Sequence, residues 1–180
     1  MFTIERSEQV FQGKVFNVRR DWVRLPNGGE TVLDIITHHG AVTLVPLDAE
    51  DRIWFVRQYR HAAGETILEL PAGTLEPNEA PEACAAREIR EEIGMEAQHL
   101  RLIGEFYLAP GYSTEYQYVY LATGLRPNPL PQDDDEFLEP VAFPREDVYR
   151  MVREGVFRDA KTLAALLLAQ AYWPSSAETA

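Results

Sequence analysis

The feature that most constrains the fold is a short segment bounded by Pro81 and Gly94. Proline suits the first turn of a helix and glycine its C-terminal cap, so the segment predicts a helix over about residues 80–93. Three apolar residues at i, i+3 and i+7 predict a stripe that packs on a sheet: Ala86, Ile89 and Ile93. The chain therefore needs a sheet beside this helix.

Acidic residues occupy another side of the same helix. Glu88 and Glu92 are four residues apart and Glu91 lies three after Glu88, a spacing that puts carboxylates within about 6 Å of each other. Like charges at this spacing destabilise a helix, whereas Mg²⁺ favours carboxylate oxygens. This side is therefore either a metal site or a solvated acidic face. Cys84 shares it, but no base is near in sequence, which favours a free thiol over a nucleophile.

The longer segment around the helix has a fixed spacing of typed residues. It reads Gly73, five residues, Glu79, seven residues, Arg87-Glu88-Ile89, one residue, Glu91-Glu92, one residue, Gly94-Met95. This pattern resembles the Nudix box at every defined position. The resemblance implies an α/β (α+β) fold, with a mixed β-sheet sandwiched between α-helices. It also implies a reaction, the attack of water on a phosphorus of a nucleoside diphosphate linked to a second group.

The resemblance also assigns roles within the box. Glu88 and Glu92 match the main metal ligands, Glu91 matches an auxiliary ligand, and the carbonyl of Ala72 also meets metal. Glu79 and Arg87 match a structural pair that holds the loop against the helix, while Gly73 and Gly94 match the fixed glycines. Mg²⁺ is the implied cofactor, with Mn²⁺ as a substitute.

Segments outside the box resemble the ADP-ribose pyrophosphatase group. They are Pro26-Asn27-Gly28, Gly40-Ala41-Val42, Gln58-Tyr59-Arg60, Glu69-Leu-Pro-Ala-Gly73, and Pro110 with Gly111 to Glu115. The implied reaction converts ADP-ribose, or a similar nucleoside diphosphate sugar, into AMP and ribose 5-phosphate. Related enzymes that act on GDP-mannose, UDP-glucose or FAD share parts of these segments and provide the alternative.

Candidate substrate residues follow from this group. Arg60 matches an arginine that approaches the substrate phosphates, and its fork of donors suits a phosphate pair; the alternative is a surface arginine at a strand end. Arg57 is a second candidate, although it points to the other face of the strand. Glu115 either contacts the ribose or base, or caps its loop.

The acidic run 133–136 matches a loop that closes over the metals. Glu136 matches a further metal ligand, and Asp134 matches the general base. The family more often has glutamate at the base position, so Asp135, Glu136 and Glu139 remain alternatives.

The third N-terminal strand departs from the group. Where the group has an arginine before an acidic residue, this chain has Leu33-Asp34. That arginine helps hold the substrate across a dimer interface, so the departure bears on strict ADP-ribose specificity. Trp22, Phe16 and Tyr59 are either packing residues or platforms for an adenine or flavin ring.

The remaining chain predicts strands and two terminal helices in one domain. Residues 1–40 alternate in polarity around a hairpin turn at 26–29 and predict an N-terminal antiparallel β extension, with a Nudix domain over 41–180. In the resembling group this extension exchanges between subunits, which implies a homodimer. Further strands are predicted at 41–47, 53–59, 102–108 and 116–122, and helices from Pro144 to about Glu154 and from Asp159 onward. The last carries Leu163, Leu166, Leu167 and Ala171 at helical spacing.

Charge and composition narrow the partners. The formal net charge of −12 opposes nucleic-acid binding and makes a phosphate substrate depend on bound cations. No apolar run approaches the roughly 20 residues of a membrane span, and the single cysteine fits a reducing, cytoplasmic setting. A non-catalytic Nudix ligand sensor is the alternative from another class, but the intact box and the lack of a basic helix-turn-helix segment oppose it.

Overall fold

The computed structural model describes residues 1–131 and 137–173. Its backbone divides into two compact units. Residues 1–40 and 106–117 form the first unit, and residues 41–105 together with the described residues from 118 onward form the second. The inclusion of residues 106–117 in the first unit was not indicated by the sequence.

The first unit is built on a three-stranded antiparallel sheet. Its strands are β1 (Thr3–Gln12), β2 (Asn17–Arg24) and β3 (Glu30–Thr37), in the order β1-β2-β3. The predicted hairpin turn is confirmed: the amide of Leu25 donates to the carbonyl of Gly29 at 2.7 Å, and Gly28 has a φ of +84°. Glycine adopts this left-handed conformation without a Cβ penalty.

The loop before Glu115 is hydrogen bonded to β3 within the first unit. The amide of Ile36 donates to the carbonyl of Tyr112 at 2.8 Å, and the amide of Thr114 donates to the carbonyl of Ile36 at 2.9 Å. The amide of His38 also donates to the hydroxyl of Thr114 at 2.9 Å. These bonds fix a loop that has no regular secondary structure of its own.

The second unit contains two sheets. Their strands are β4 (Ala41–Pro46), β5 (Arg52–Arg60), β6 (Glu65–Glu69), β7 (Ala72–Thr74), β8 (Met95–Tyr107), β9 (Tyr116–Pro127) and β10 (Leu138–Pro144). The last two residues of β8 and the first two of β9 belong to the first unit. One sheet has the order β7-β4-β9-β8 and the other has the order β10-β5-β6. The four strands predicted in this region are confirmed, although β8 starts earlier and β9 ends later than the apolar runs indicated.

The second unit also has three helices. They are α1 (Pro81–Glu92), α2 (Arg145–Arg153) and α3 (Ala160–Ala169), the last followed by a 3₁₀ turn (Gln170–Tyr172). Both α1 and α3 pack on β4, whose six residues are all buried. Alternate side chains of a strand point to opposite faces, so complete burial requires a cover on each side. The predicted layering of sheet and helices is confirmed. No helix among the described residues is long and apolar enough to cross a membrane.

Three strands were not predicted: β6, β7 and β10. Strand β7 has three residues, one of them Gly73, and its identity depends on its partner. Val42 of β4 lies opposite Gly73, and Thr43 lies opposite Ala72. Pairing of this kind comes from tertiary structure and leaves no alternating pattern in a short segment.

The predicted ends of the helices are confirmed, but two predicted apolar stripes are wrong in part. In α1, Ala86 is exposed, and the buried residues are Cys84, Ala85, Glu88, Ile89 and Glu92. The buried arc is rotated toward the acidic side because β7 covers that side as well as the core. In α3, Leu163, Leu167 and Ala171 are exposed, whereas Thr162, Ala165, Leu166 and Ala169 are buried.

Candidate active site

The helix of the box is placed by its two ends. Pro81 occupies the first turn of α1, and Gly94 follows the last residue with a φ of +70°, the left-handed conformation of a helix C-terminus. The preceding loop is closed by Glu79, whose carboxylate accepts from the amide of Glu76 at 2.9 Å. The loop and the helix are therefore held as one unit.

Arg87 is the common partner of three carboxylates. Its Nε and Nη2 donate to the two oxygens of Glu79, each at 3.0 Å. Its Nη1 donates to Glu88 at 2.7 Å and to Glu91 at 2.8 Å. These partners, Glu79 foremost, raise the pKa of Arg87, and Arg87 in turn lowers the pKa of Glu79. The two residues that the resemblance pairs are thus brought together.

Glu88 and Glu92 lie buried under β7, with 8% and 3% of their surfaces exposed. The amide of Ala72 donates to Oε2 of Glu92 at 2.9 Å. A Cβ at Gly73 would lie 1.8 Å from the carboxyl carbon of Glu88. Any other residue at 73 would therefore displace this carboxylate from its present position against the backbone of β7.

The carboxylates do not form a closed metal site in this arrangement. Among residues 1–131 and 137–173, no three histidine, cysteine, aspartate or glutamate side chains are arranged to hold a metal ion. Asp134, Asp135 and Glu136, predicted as base or ligand, lie outside the described residues. The donor set still suits a hard divalent cation, because Glu88 and Glu92 are oxygen donors held within the protein beside a backbone strand.

Cys84 lies on the same side of α1 and is fully buried. Burial and the nearby charges of Glu88 and Glu79 raise the pKa of its thiol. A thiol in such a setting stays protonated at neutral pH and is a poor nucleophile. This agrees with the interpretation of Cys84 as a free cysteine.

The predicted substrate residues of the second unit differ in their surroundings. Arg60 is held by Glu69 through two hydrogen bonds of 2.8 Å, while 41% of its side chain stays exposed. Arg57 is exposed on β5 and lies opposite Glu139, the alternative base, which is exposed on β10. Among these residues, only Arg60 is oriented by a buried partner.

The predicted residues of the first unit lie in its sheet and loop. Glu115 accepts a hydrogen bond from Gln117 at 2.8 Å, and its amide bonds to the hydroxyl of Ser113. Asp34 accepts two hydrogen bonds from Arg20, at 2.7 and 3.1 Å, so an arginine does face this acidic residue, but from β2.

The three candidate aromatic residues each have a neighbour. Trp22 lies under the guanidinium of Arg6 at 4.2 Å, and Phe16 contacts Phe11. Tyr59 has an exposed ring beside His61.

Two residues of the site region were missed by the sequence reasoning. Glu69 was quoted only as part of a motif, yet it is the buried partner of Arg60. Lys161 of α3 also contacts Glu69, from 92 positions along the chain. No local pattern brings such distant residues together, although a lysine in an otherwise apolar helix is an unusual signal.

Replacement of Arg87 by methionine tests the role of this arginine as a shared counter-ion. The variant leaves three acidic side chains without their cation, and we expect a loss of about 2 kcal/mol in unfolding free energy at pH 7. Because the fold lowers the pKa of Glu79, ionised Glu79 stabilises the folded state at pH values above its ordinary pKa of 4.5. This stabilisation is lost as the pH falls through the lowered pKa of the folded state. The difference in unfolding free energy between wild type and Arg87→Met, measured by urea unfolding, should therefore become smaller toward pH 3.

Arg153→Met is the matched control, because Arg153 is exposed on α2. It should change the unfolding free energy by less than about 0.5 kcal/mol at either pH. An equal loss for Arg87→Met at pH 7 and pH 3 would mean that packing, and not charge, is what Arg87 contributes.

Known proteins resemble both the sequence and the fold. The NUDIX domain model matches residues 37–166. An ADP-ribose pyrophosphatase of Bacillus subtilis (strain 168) is 39% identical over 161 residues, 88% of this chain and 87% of the relative. A methanol dehydrogenase activator of Bacillus methanolicus is 34% identical over 163 residues, 89% of this chain and 88% of the relative.

A solved structure shares the architecture described above. It is the crystal structure of an ADP compounds hydrolase, with a TM-score of 0.86 and 26% sequence identity, over 95% of this chain and 93% of that one. Together with the domain match and the arrangement of the box, this places the chain in a known group. The chain belongs to the Nudix hydrolase family and is a Nudix pyrophosphohydrolase.

Proposed function

We propose that the protein hydrolyses the pyrophosphate bond of ADP-ribose, or of a similar nucleoside diphosphate sugar, with bound Mg²⁺ or Mn²⁺. The products with ADP-ribose are AMP and ribose 5-phosphate. The proposal rests on the resemblance to the ADP-ribose pyrophosphatase group and on the name of the Bacillus subtilis relative. GDP-mannose, UDP-glucose and FAD are the alternative substrates.

The observation that carries the proposal is the buried pair Glu88 and Glu92 beneath β7. Acidic side chains are rarely buried to 8% and 3% exposure unless they are paired or coordinate a metal. Glu92 is oriented by the amide of Ala72, and Glu88 has room because residue 73 is glycine. Both carboxylates are therefore preorganised before any ligand arrives.

In the proposed mechanism the glutamates of α1 bind the metal, and Arg87 orients two of them, Glu88 and Glu91. Glu88 and Glu92 are the main ligands, with Glu91 and the carbonyl of Ala72 as further donors. A divalent cation, when bound, neutralises the phosphates and lowers the pKa of the attacking water. Glu79 keeps Arg87 against the helix, where the arginine donates to Glu88 and Glu91.

Arg60 is the side chain that is proposed to bind the substrate phosphates directly. Glu69 takes two of the five N–H donors of its guanidinium, and the others are available to the substrate. The general base is proposed to be Asp134, with Asp135, Glu136 and Glu139 as alternatives. Glu115 and Arg57 are proposed to contact the nucleoside or sugar.

Hydrolysis of ADP-ribose is the direct test. With Mg²⁺ or Mn²⁺ the purified protein should release AMP from ADP-ribose, measured by chromatography beside GDP-mannose, UDP-glucose and FAD. EDTA should abolish turnover because the negative site cannot bind a pyrophosphate alone. Turnover of GDP-mannose or FAD without any AMP from ADP-ribose would overturn the substrate assignment, and full turnover in EDTA would overturn the mechanism.

A pair of glutamate variants serves as the internal control of this assay. Glu92→Gln keeps an oxygen for the amide of Ala72 but removes a ligand charge, and should lower the rate on the order of a thousandfold. Glu82→Gln removes a charge from an exposed position of the same helix and should leave the rate within twofold. Equal rates for the two variants would remove Glu92 from the metal site.

The protein is further proposed to act as a homodimer through its first unit. All ten residues of β1 are exposed, and the sheet leaves large apolar side chains uncovered. Phe2, Ile4 and Leu33 are 65%, 57% and 42% exposed and line a cavity of about 400 Å³ within this unit. An apolar surface of this kind marks an interaction site on a soluble protein. A second copy of the chain is its proposed cover.

Light scattering at micromolar concentration should give twice the 20.5 kDa mass of the chain. Ile4→Glu places a charge on the apolar face and should shift the protein toward the monomer. Thr3→Glu is the matched control, since neighbouring residues of a strand point to opposite faces. A wild-type monomer, or the same mass for both variants, would contradict the dimer.

A further inference from the structure

A small ion cluster lies beside the proposed phosphate arginine. Glu69 closes β6 with 2% of its surface exposed and accepts from Arg60 through both oxygens. Lys161 of α3 contacts the same carboxylate, and its Nζ also lies 3.0 Å from the carboxylate of Asp159. One buried carboxylate is thus shared by two cations.

Two cations compensate the burial of Glu69. Burial by itself raises the pKa of Glu69, but Arg60 and Lys161 together hold it below its ordinary value. A buried carboxylate with one cation removed is poorly compensated, and without Lys161 the Glu69 carboxylate also loses the contact that holds it to α3. The position of Arg60 therefore depends on whether Lys161 shares the charge of Glu69.

Lys161 is itself fixed by the start of α3. Only 12% of its side chain is exposed. Asp159 caps the helix by accepting from the amide of Thr162 at 2.9 Å, and the hydroxyl of Thr162 accepts from the amide of Leu70 at 2.9 Å. The first turn of α3 is thus bonded to the residue that follows Glu69, two positions before Ala72.

Arg60 differs from the other members of the cluster in its exposure. The side chain of Arg60 is 41% exposed, whereas its partner Glu69 is buried, so part of the guanidinium is accessible to solvent while Glu69 holds it in place. The negative charge of Glu92 adds to the raised pKa of Arg60, whose main cause is the hydrogen bonding to Glu69. Arg60 is therefore within electrostatic reach of a proposed metal ligand.

We propose that Lys161 is a positioning residue for substrate phosphate: by sharing the Glu69 carboxylate with Arg60, it fixes the position of the Arg60 guanidinium. This rests on the proposed function, in which Arg60 binds the pyrophosphate. Lys161 acts through Glu69 and Arg60 and does not touch the substrate. Its loss should weaken substrate binding more than it slows the chemical step.

A double-mutant cycle on the full-length protein tests this role. Lys161→Met should raise KM for ADP-ribose about tenfold while kcat falls less than threefold, and Lys161→Arg should restore KM to within threefold of wild type. In an Arg60→Met background, adding Lys161→Met should change KM by less than twofold, because the residue it positions is already absent. A tenfold rise in KM in that background as well would overturn the proposal.

Arg158→Met is the matched control. Arg158 is an exposed cation just before α3 and pairs with Glu65, at the other end of β6. This variant should keep both KM and kcat within twofold of wild type. The positioning role would be wrong if Lys161→Met kept the wild-type KM and lost kcat only in proportion to its unfolded fraction, which its melting curve gives. Lys161 would then have only a structural role.

Calorimetric binding of inorganic pyrophosphate with Ca²⁺ separates this inference from the proposed function. Wild type, Lys161→Arg and Arg158→Met should bind pyrophosphate more tightly than Lys161→Met, in an order of affinity that needs no turnover. If the wild type hydrolyses none of the four substrates but this order holds, the proposed reaction fails and the positioning role stands. If the wild type turns over substrate while pyrophosphate binds equally to wild type and Lys161→Met, the positioning role fails.

Discussion

The passage of strand β7 over the acidic side of helix α1 is the constraint on which the site depends. Gly73 leaves room for the Glu88 carboxylate in its present position, which a Cβ at 73 would displace. Ala72 then donates its amide to Glu92, and pairing with β4 fixes the strand from its other edge. Without this approach Glu88 and Glu92 would be solvated side chains on a helix surface, with weak affinity for a cation.

The same approach creates an electrostatic problem that the chain solves with arginine. Carboxylates three and four residues apart on one helix repel each other, and burial strengthens the repulsion. Arg87 donates to Glu79, Glu88 and Glu91 at once, which stabilises this acidic cluster. Arg60 and Lys161 do the same for Glu69 at the end of β6.

The sequence predicted those parts of the fold that depend on local signals. Pro81 and Gly94 set the ends of α1, Asp159 capped α3, and the turn at Gly28 formed as expected. Ala86 was assigned to the buried stripe because helical periodicity does not reveal that β7 covers a second side of α1. The assignment of Glu88 and Glu92 came from the spacing of the box, whereas their burial came from the structure.

The partners of Arg60 could not be predicted from local sequence patterns, because they too depend on tertiary packing. Glu69 accepts a hydrogen bond from Arg60 within the β5–β6 hairpin, and Lys161 contacts Glu69 from α3, 92 positions further along the chain. Such contacts are set by the packing of α3 on the sheet, and no spacing in one sequence encodes them. The acidic residues at 134–136 show the converse case, since the resemblance gives them roles although they lie outside the described residues.

The carboxylates under β7 are proposed to hold divalent cations. Anomalous diffraction from crystals soaked in Mn²⁺ and a non-hydrolysable ADP-ribose analogue tests this proposal. We expect a Mn²⁺ peak bonded to the carboxylates of Glu88 and Glu92, at roughly 2.0–2.3 Å, and the guanidinium of Arg60 on the analogue phosphate. Analogue bound with no anomalous peak beside Glu88 and Glu92, and with Arg87 still donating to Glu88 and Glu91, would contradict the claim.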